Sequence, residues 1–341
     1  MINAGIVGLG WWGRTLVEAL SGSSDKMRFV AGATRTQSDE VKGFAAEHEL
    51  DLREGFDEII DDPKIDAVVL ATPHSMHTAQ VVAAAAKGKH VYCEKPFALS
   101  KAEAVEAVDA ARAAAVTLGL GYNRRWHPEM TRLRDRIESG ELGVVLHVEA
   151  TMTFPNALML KADAWRASRE ETPCGGLTPM GVHAIDGMID LCGPIDEVYC
   201  QSFRRAVEID ADDTTSILFR MKDGMSGYLG TMTATGGGFN FQVYGSKGFV
   251  KLEGMTHVAG APSEERRTKL FGRCTFKPLK GPAEVWEAAT LDIVKATLED
   301  FAAAAGGGRP FMIPTDEMVH GAAVTEAIVK SAASHQVEKV G

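Results

Sequence analysis

Ala4-Gly5-Ile6-Val7-Gly8-Leu9-Gly10-Trp11-Trp12-Gly13 is followed at once by Arg14-Thr15-Leu16-Val17-Glu18-Ala19-Leu20. A short apolar run, a G-x-G-x-x-G turn and a helical pattern, in that order, form the arrangement that binds the pyrophosphate of a dinucleotide. The glycines permit a tight turn and close backbone approach, and the helix N-terminus offers N–H donors to the anion. Gly8, Gly10 and Gly13, with Trp11 and Trp12 between them, are therefore read as cofactor-binding. An ordinary glycine-rich turn would account for the glycines alone, but not for their place between a strand and a helix.

Residues 28–33 read as the next strand, ending in Thr34-Arg35-Thr36. NAD-binding versions of the motif carry an acid here for the ribose 2′-hydroxyl. An arginine and hydroxyls in its place suit a 2′-phosphate, so Thr34 and Arg35 predict NADP in preference to NAD. A helix is expected over 39–48. Residues 66–71 form a buried strand closed by Thr72-Pro73-His74. A helix over 76–87 is closed by Gly88, which suits a C-terminal cap. The strand His90-Val91-Tyr92-Cys93 then runs into Glu94-Lys95-Pro96. In a parallel α/β sheet, chemistry gathers beyond the carboxyl ends of strands, which makes Lys95 the first catalytic candidate. A helix over 100–114 starts with a Ser-x-x-Glu capping box, and 117–122 is a further strand. Strands alternating with helices imply a doubly wound parallel sheet over residues 1–122.

The pattern changes after Tyr122. An amphipathic helix is expected over 127–139 and an alternating strand over 144–154. A polar loop carries Trp165 and Arg166. Pro179 is positioned to open a helix in which His183 and Asp186 share one face. Strands over 197–205, 214–222, 225–234 and 239–244, joined by short turns, imply an open, mainly antiparallel sheet. Residues 262–282 read as a long loop or small excursion, and helices are expected over 284–305 and 315–334. The second domain is thus placed at 123–341.

Composition bounds the function. The chain has 341 residues, 45% of them hydrophobic and 24% charged, with a net charge of −10. That length holds two sizeable cores, and the charge argues against nucleic acid as a partner. No apolar run reaches membrane-spanning length, and the strand pattern begins at once, without a signal peptide. Five scattered cysteines without CxxC or mixed Cys/His spacing predict no metal site and reduced thiols in the cytoplasm.

GLGWWG near the start, TPHSMHTAQVVAAAAKGKHVYCEKP and GYNRRWHP together resemble the glucose-fructose oxidoreductase / inositol dehydrogenase / MocA family over most of the chain. The resemblance implies an N-terminal Rossmann domain and a C-terminal α/β domain with an open, mainly antiparallel sheet. It also implies NAD(P)-dependent hydride transfer at a secondary alcohol or carbonyl of a sugar, cyclitol or related polyol. By the same resemblance Lys95 and His183 are catalytic, and Thr72, Pro73, His77, Glu94 and Arg166 serve the cofactor. Tyr122, Asn123, Arg124, Trp165 and His183 would serve the substrate, and the second sheet would pair subunits into a homodimer or homotetramer. Pro179 stands where the family pattern has an aspartate, which leaves the substrate class open. The alternatives are a dehydrogenase of a non-sugar cyclic diol and a catalytically silent NAD(P)-binding regulator.

Overall fold

The computed structural model describes residues 1–256 and 261–341. The chain divides into two compact units, one of residues 1–123 and 292–319, the other of 124–291 and 320–341.

The first unit opens with β1 (Ile2–Val7), α1 (Trp11–Leu20), β2 (Met27–Ala33), α2 (Asp39–Glu47), β3 (Asp51–Arg53), α3 (Phe56–Asp61) and β4 (Ala67–Leu70). It continues with α4 (His77–Ala86), β5 (His90–Cys93), α5 (Lys101–Ala113) and β6 (Leu118–Leu120). Six strands pair in the order β3-β2-β1-β4-β5-β6, every pair parallel. The chain order reverses between β1 and β4, the position at which such sheets bind ligands. β4 is apolar at every position and wholly buried, as a strand covered on both faces must be. The expected helix signals hold. Ser100 and Glu103 form the reciprocal capping box of α5, and Gly88 follows α4 at φ +71°. β3 and α3 have no counterpart in the sequence reading, because each is too short to show a period.

The second unit begins in the short turn Asn123–Trp126 and adds α6 (Pro128–Glu138), β7 (Val145–Thr153), α7 (Gly181–Cys192), β8 (Ile195–Phe203), β9 (Thr214–Met221) and β10 (Ser226–Met232). β11 (Gly238–Gly245), β12 (Gly248–Gly254), α8 (Ser263–Thr268), β13 (Phe271–Pro278) and β14 (Glu284–Glu287) follow. α9 (Ile293–Ala305), α10 (Thr315–Ser334) and β15 (Glu338–Lys339) complete the chain. The nine-stranded sheet has the order β14-β13-β12-β11-β7-β10-β9-β8-β15. It is antiparallel except where β10 lies parallel to β7. Val148, Ala150 and Met152 of β7 point to the covered face, and the residues between them point away. Gly187 of α7 meets that face, where a Cβ would sit 3.2 Å from Met130 Cε and 3.4 Å from Phe241.

Two element assignments fail here. Residues 262–282 are not a loop, because α8 and β13 lie there. The helix expected over 284–305 starts only at Ile293, capped by the Asp292 carboxylate, and its first part is strand β14. Residues 284–287 make a strand because β13 offers them a partner, from Arg273↔Glu287 to Phe276↔Glu284. That is a non-local pairing, and local helix propensity gives way to it. The division at 122/123 put all later residues in one domain, whereas Asp292–Val319 packs with the first unit. There Phe301 of α9 meets Tyr92 edge-on at 5.6 Å. Residue 119 is glycine because a Cβ would lie 2.7 Å from the Phe301 ring.

Candidate active site

Three glycines of the first turn each solve a different problem. Gly8 has φ +103°, and a Cβ on it would stand 2.4 Å from the Ala71 carbonyl oxygen. Gly13 brings α1 against the turn, so that a Cβ there would overlap the Gly8 carbonyl oxygen at 1.8 Å. Gly10 meets nothing within 4 Å and leaves room above the start of α1. That helix has no side-chain cap and no acid in its first turn, so its N–H groups are offered outward. The turn therefore fits a dinucleotide pyrophosphate. Trp11 is exposed and meets Trp12 edge-on at 5.4 Å, and the Trp12 indole nitrogen is buried with no acceptor among the described residues. Thr34 and Arg35 follow β2 directly, with Arg35 exposed.

The ends of β4 and β5 are tied to each other. Thr72 Oγ1 donates to Gln80 Oε1 at 2.6 Å. His77 is fully buried, its ring nitrogens 2.8 Å from the Pro96 carbonyl and 3.1 Å from the Thr72 carbonyl. A neutral imidazole donates to only one of the two. The sequence reading has His77 beside the cofactor, whereas the structure shows it clamping together the loops that carry Thr72, Pro73 and Lys95. Glu94 is buried, and one of its carboxylate oxygens accepts from the Lys95 backbone N–H at 3.3 Å. Its carboxylate fills the space over Gly121, where a Cβ would come within 2.6 Å. Burial pushes the Tyr92 hydroxyl and the Cys93 thiol well above their usual range, and the Glu94 charge adds to it. Lys95, partly buried, emerges at the carboxyl end of β5 directly after this closed strand.

In the second unit, His183 lies in the first turn of α7 and is buried. The helix starts at Gly181, two residues later than Pro179 alone predicts. One turn beyond His183, Asp186 takes the Arg125 guanidinium through Nε at 3.0 Å and Nη2 at 2.6 Å. Arg125 also reaches Asp190 at 3.3 Å, and Arg134 holds Asp190 at 2.6 Å. This network fastens α7 to the turn Asn123–Trp126. Removing one member would leave a buried charge uncompensated, at a cost of about 3–5 kcal/mol. Next to it, Arg124 lies over the Phe239 ring, 4.5 Å from its centroid. Arg166 stacks on Trp165 at 4.0 Å, on a loop underlain by Ala157, Ala167, Ile209 and Ala211.

The predicted residues thus fall into two groups. Gly8, Gly10, Trp11, Trp12, Gly13, Thr34, Arg35, Thr72, Pro73, His77, Glu94, Lys95, Tyr122 and Asn123 belong to the first unit. Arg124, Trp165, Arg166 and His183 belong to the second. Sequence reasoning missed Gln80, Arg125 and Asp190. Only Asp190 carries a local signal, four residues after Asp186 on one helix face. No group of three His, Cys, Asp or Glu suited to a metal occurs among the described residues, and none of their helices is long and apolar enough to cross a membrane.

Residues 2–122 match the family model described as an oxidoreductase family with an NAD-binding Rossmann fold. Residues 130–251 match the GFO/IDH/MocA C-terminal domain. The rhizopine catabolism protein MocA of Rhizobium meliloti is 31% identical over 330 residues, covering 95% of this chain and 92% of that protein. The myo-inositol 2-dehydrogenase of Thermotoga maritima is 26% identical over 78% of this chain and 79% of its own length. Among solved structures, an aldose-aldose oxidoreductase from Caulobacter crescentus superposes with a TM-score of 0.85 at 23% identity, covering 99% of both chains.

Proposed function

The chain belongs to the GFO/IDH/MocA family and is an NAD(P)-dependent oxidoreductase acting on CH–OH groups, and from that premise we propose that its substrate is a sugar, a cyclitol or a closely related polyol. The single observation that carries the reading is the first unit itself. One parallel sheet joins a glycine turn shaped for a pyrophosphate to a lysine at a carboxyl strand end. The names of the relatives point the same way, one to rhizopine catabolism and one to myo-inositol oxidation.

When bound, the nicotinamide supplies the hydride acceptor or donor. Gly8, Gly10, Gly13 and the start of α1 would hold the pyrophosphate, Thr34 and Arg35 the adenosine ribose, and Thr72, Pro73 and Glu94 the nicotinamide half. The alcohol carbon loses a hydride and its hydroxyl loses a proton, and Lys95 takes that proton. In the reverse direction Lys95 returns it. His183, which the family resemblance makes the second catalytic residue, would contribute hydrogen bonding or proton handling from its own unit. The five cysteines are free thiols, which suits a cytoplasmic enzyme.

A panel of sugars, cyclitols and cyclic diols, read by NADPH fluorescence, tests the proposal. Turnover confined to diols without further hydroxyls would move the substrate class to non-sugar rings. Cofactor binding with no turnover across the panel would make the chain a regulator.

Cofactor choice has its own test. Arg35→Ala is expected to weaken NADPH more than NADH, because only NADPH loses a charge-assisted pair. Equal losses in fluorescence titrations would remove the preference for NADP.

The outward face of the second sheet motivates a homo-oligomer. Tyr199, Leu218, Tyr228, Glu149 and Gln242 stand in register across five adjacent strands of that face, and Leu218 is 56% exposed. A mixed apolar and polar sheet face of this kind suits a self-complementary contact. Light scattering at micromolar concentration is expected to give a multiple of the 36.6 kDa chain mass. A monomer under those conditions would end this part of the proposal.

A further inference from the structure

Two of the five cysteines share one place in the second unit. Cys200 lies fully buried on the covered face of β8, and Ser202 follows it on that face. Ser202 is paired with Thr215 of β9, their hydroxyls 2.8 Å apart. The Thr215 hydroxyl donates to the Cys174 carbonyl at 2.9 Å. The loop ahead of α7 is thereby laid across β8 and β9, and the Cys174 thiol comes into hydrogen-bonding contact with the Cys200 thiol.

Both backbones are pinned. The Cys200 N–H donates to Ser331 Oγ of α10 at 2.9 Å. Next to Cys174, Gly175 lies so close to the Asp212 carbonyl that a Cβ would stand 2.0 Å from its oxygen, and a Cβ on Gly176 would stand 2.8 Å from Thr231. The two thiols separate only if the loop lifts from the sheet. A cysteine that merely fills a core has apolar neighbours, whereas this pair has polar ones. Ser202 donates to Asp212 at 2.7 Å, and the half-exposed Arg169 holds Asp212 at 2.8 Å. Cys174 is the nearer of the two to solvent, 7% exposed against 0% for Cys200. The Cys200 S–H held toward its sulfur draws the Cys174 thiol below its ordinary range, despite burial and the Asp212 charge. Burial raises the thiols of Cys93, Cys192 and Cys274 instead. A thiol favoured as thiolate and close to a guanidinium is one that reacts.

We propose that Cys174 and Cys200 are a peroxide-sensitive pair that closes reversibly into a disulfide and locks the segment carrying α7 onto β8. The Cys174 sulfur attacks one peroxide oxygen, the O–O bond breaks, and a sulfenic acid and a water form. The Cys200 sulfur then attacks the Cys174 sulfur, the S–O bond breaks, and a second water leaves. The two sulfurs together give up two electrons to the peroxide, and the two waters take up the two thiol protons. A small thiol such as glutathione reverses the bond by exchange. The bond spans residues 174–200, which include all of α7, so it closes a loop in the unfolded chain and favours the folded one.

The test uses the full chain. Reduced wild type is treated with hydrogen peroxide, the remaining thiols are alkylated under denaturing conditions, and the chain is cut before its aspartates. Asp186, Asp190 and Asp196 then place Cys174, Cys192 and Cys200 on separate peptides. The expected product is a peptide linked through Cys174 and Cys200 that dithiothreitol separates. The oxidised wild type is expected to melt several degrees above the reduced one, and Cys174→Ser and Cys200→Ser should show no such rise. In Cys200→Ser, dimedone should trap a sulfenic acid on Cys174. Peptide mapping of the wild type decides the pairing even where a variant fails to fold. Recovery of both cysteines alkylated, or linkage of either to Cys192 or to a second chain, overturns the proposal. A linked chain that melts no higher than the reduced one overturns the lock. Trapping on Cys200 in Cys174→Ser, with none on Cys174 in Cys200→Ser, overturns the order of attack.

Discussion

Lys95→Ala is expected to lower kcat by about a hundredfold or more, the usual loss on removing a positioned acid/base group. NADPH affinity should stay nearly unchanged, because the pyrophosphate turn at Gly8, Gly10 and Gly13 lies at the end of another strand, β1, and does not use the lysine. The surroundings of Lys95 explain why the effect should be large. Tyr92 and Cys93 before it are buried, Glu94 is fixed over Gly121, and the Pro96 carbonyl is held by His77. The lysine therefore leaves a rigid strand end, and a rigid base loses little in orientation when it acts. His183→Ala should also lower kcat. Steady-state kinetics on the first substrate found would decide it. Full turnover by Lys95→Ala would move the proton transfer to another residue.

Gly13→Ala is expected to abolish NADPH binding and to destabilise the first unit. The added Cβ would lie 1.8 Å from the Gly8 carbonyl oxygen, a backbone atom that cannot turn aside. α1 would have to lift from the turn, and overpacking of this kind costs about 1–3 kcal/mol or more. Gly10→Ala separates binding from folding. Its Cβ meets nothing within 4 Å in the ligand-free chain, so the melting temperature should hold. The same methyl group would enter the space left for the pyrophosphate, so fluorescence titration should still show weakened NADPH binding. A Gly10→Ala chain that binds NADPH normally would show that the pyrophosphate does not approach this backbone.

The residues proposed for these roles carry unequal signals in the sequence. Gly8, Gly10 and Gly13 were legible because the motif is local, with strand, turn and helix adjacent in the chain. Lys95 was legible for the same reason, as a charged residue directly after a buried apolar run. His183 was legible as a helix position with Asp186 one turn away. The Arg125 pairing with Asp186 was not, since 61 residues separate the two. Neither was the place of His77, whose carbonyl partners lie on two different loops.

The same divide runs through the fold. Hydrophobic period, capping residues and turn glycines determined the parallel first sheet and the antiparallel character of the second, because each is a property of neighbouring residues. Ser100 with Glu103, and Gly88 after α4, bounded helices without help from the rest of the chain. Tertiary structure decided the short and the displaced elements. Residues 284–287 became a strand only because β13 offered an open edge. Residues 292–319 joined the first unit because Phe301 packs against Tyr92 and Gly119. It also decided which of two adjacent arginines is neutralised. Arg124 and Arg125 are the same residue type side by side, and only the position of α7 gives Asp186 to Arg125 and leaves Arg124 against a ring and a sulfur. A charge pattern in sequence lists the cations and anions, but pairing them requires distances that the chain sets only when it has folded.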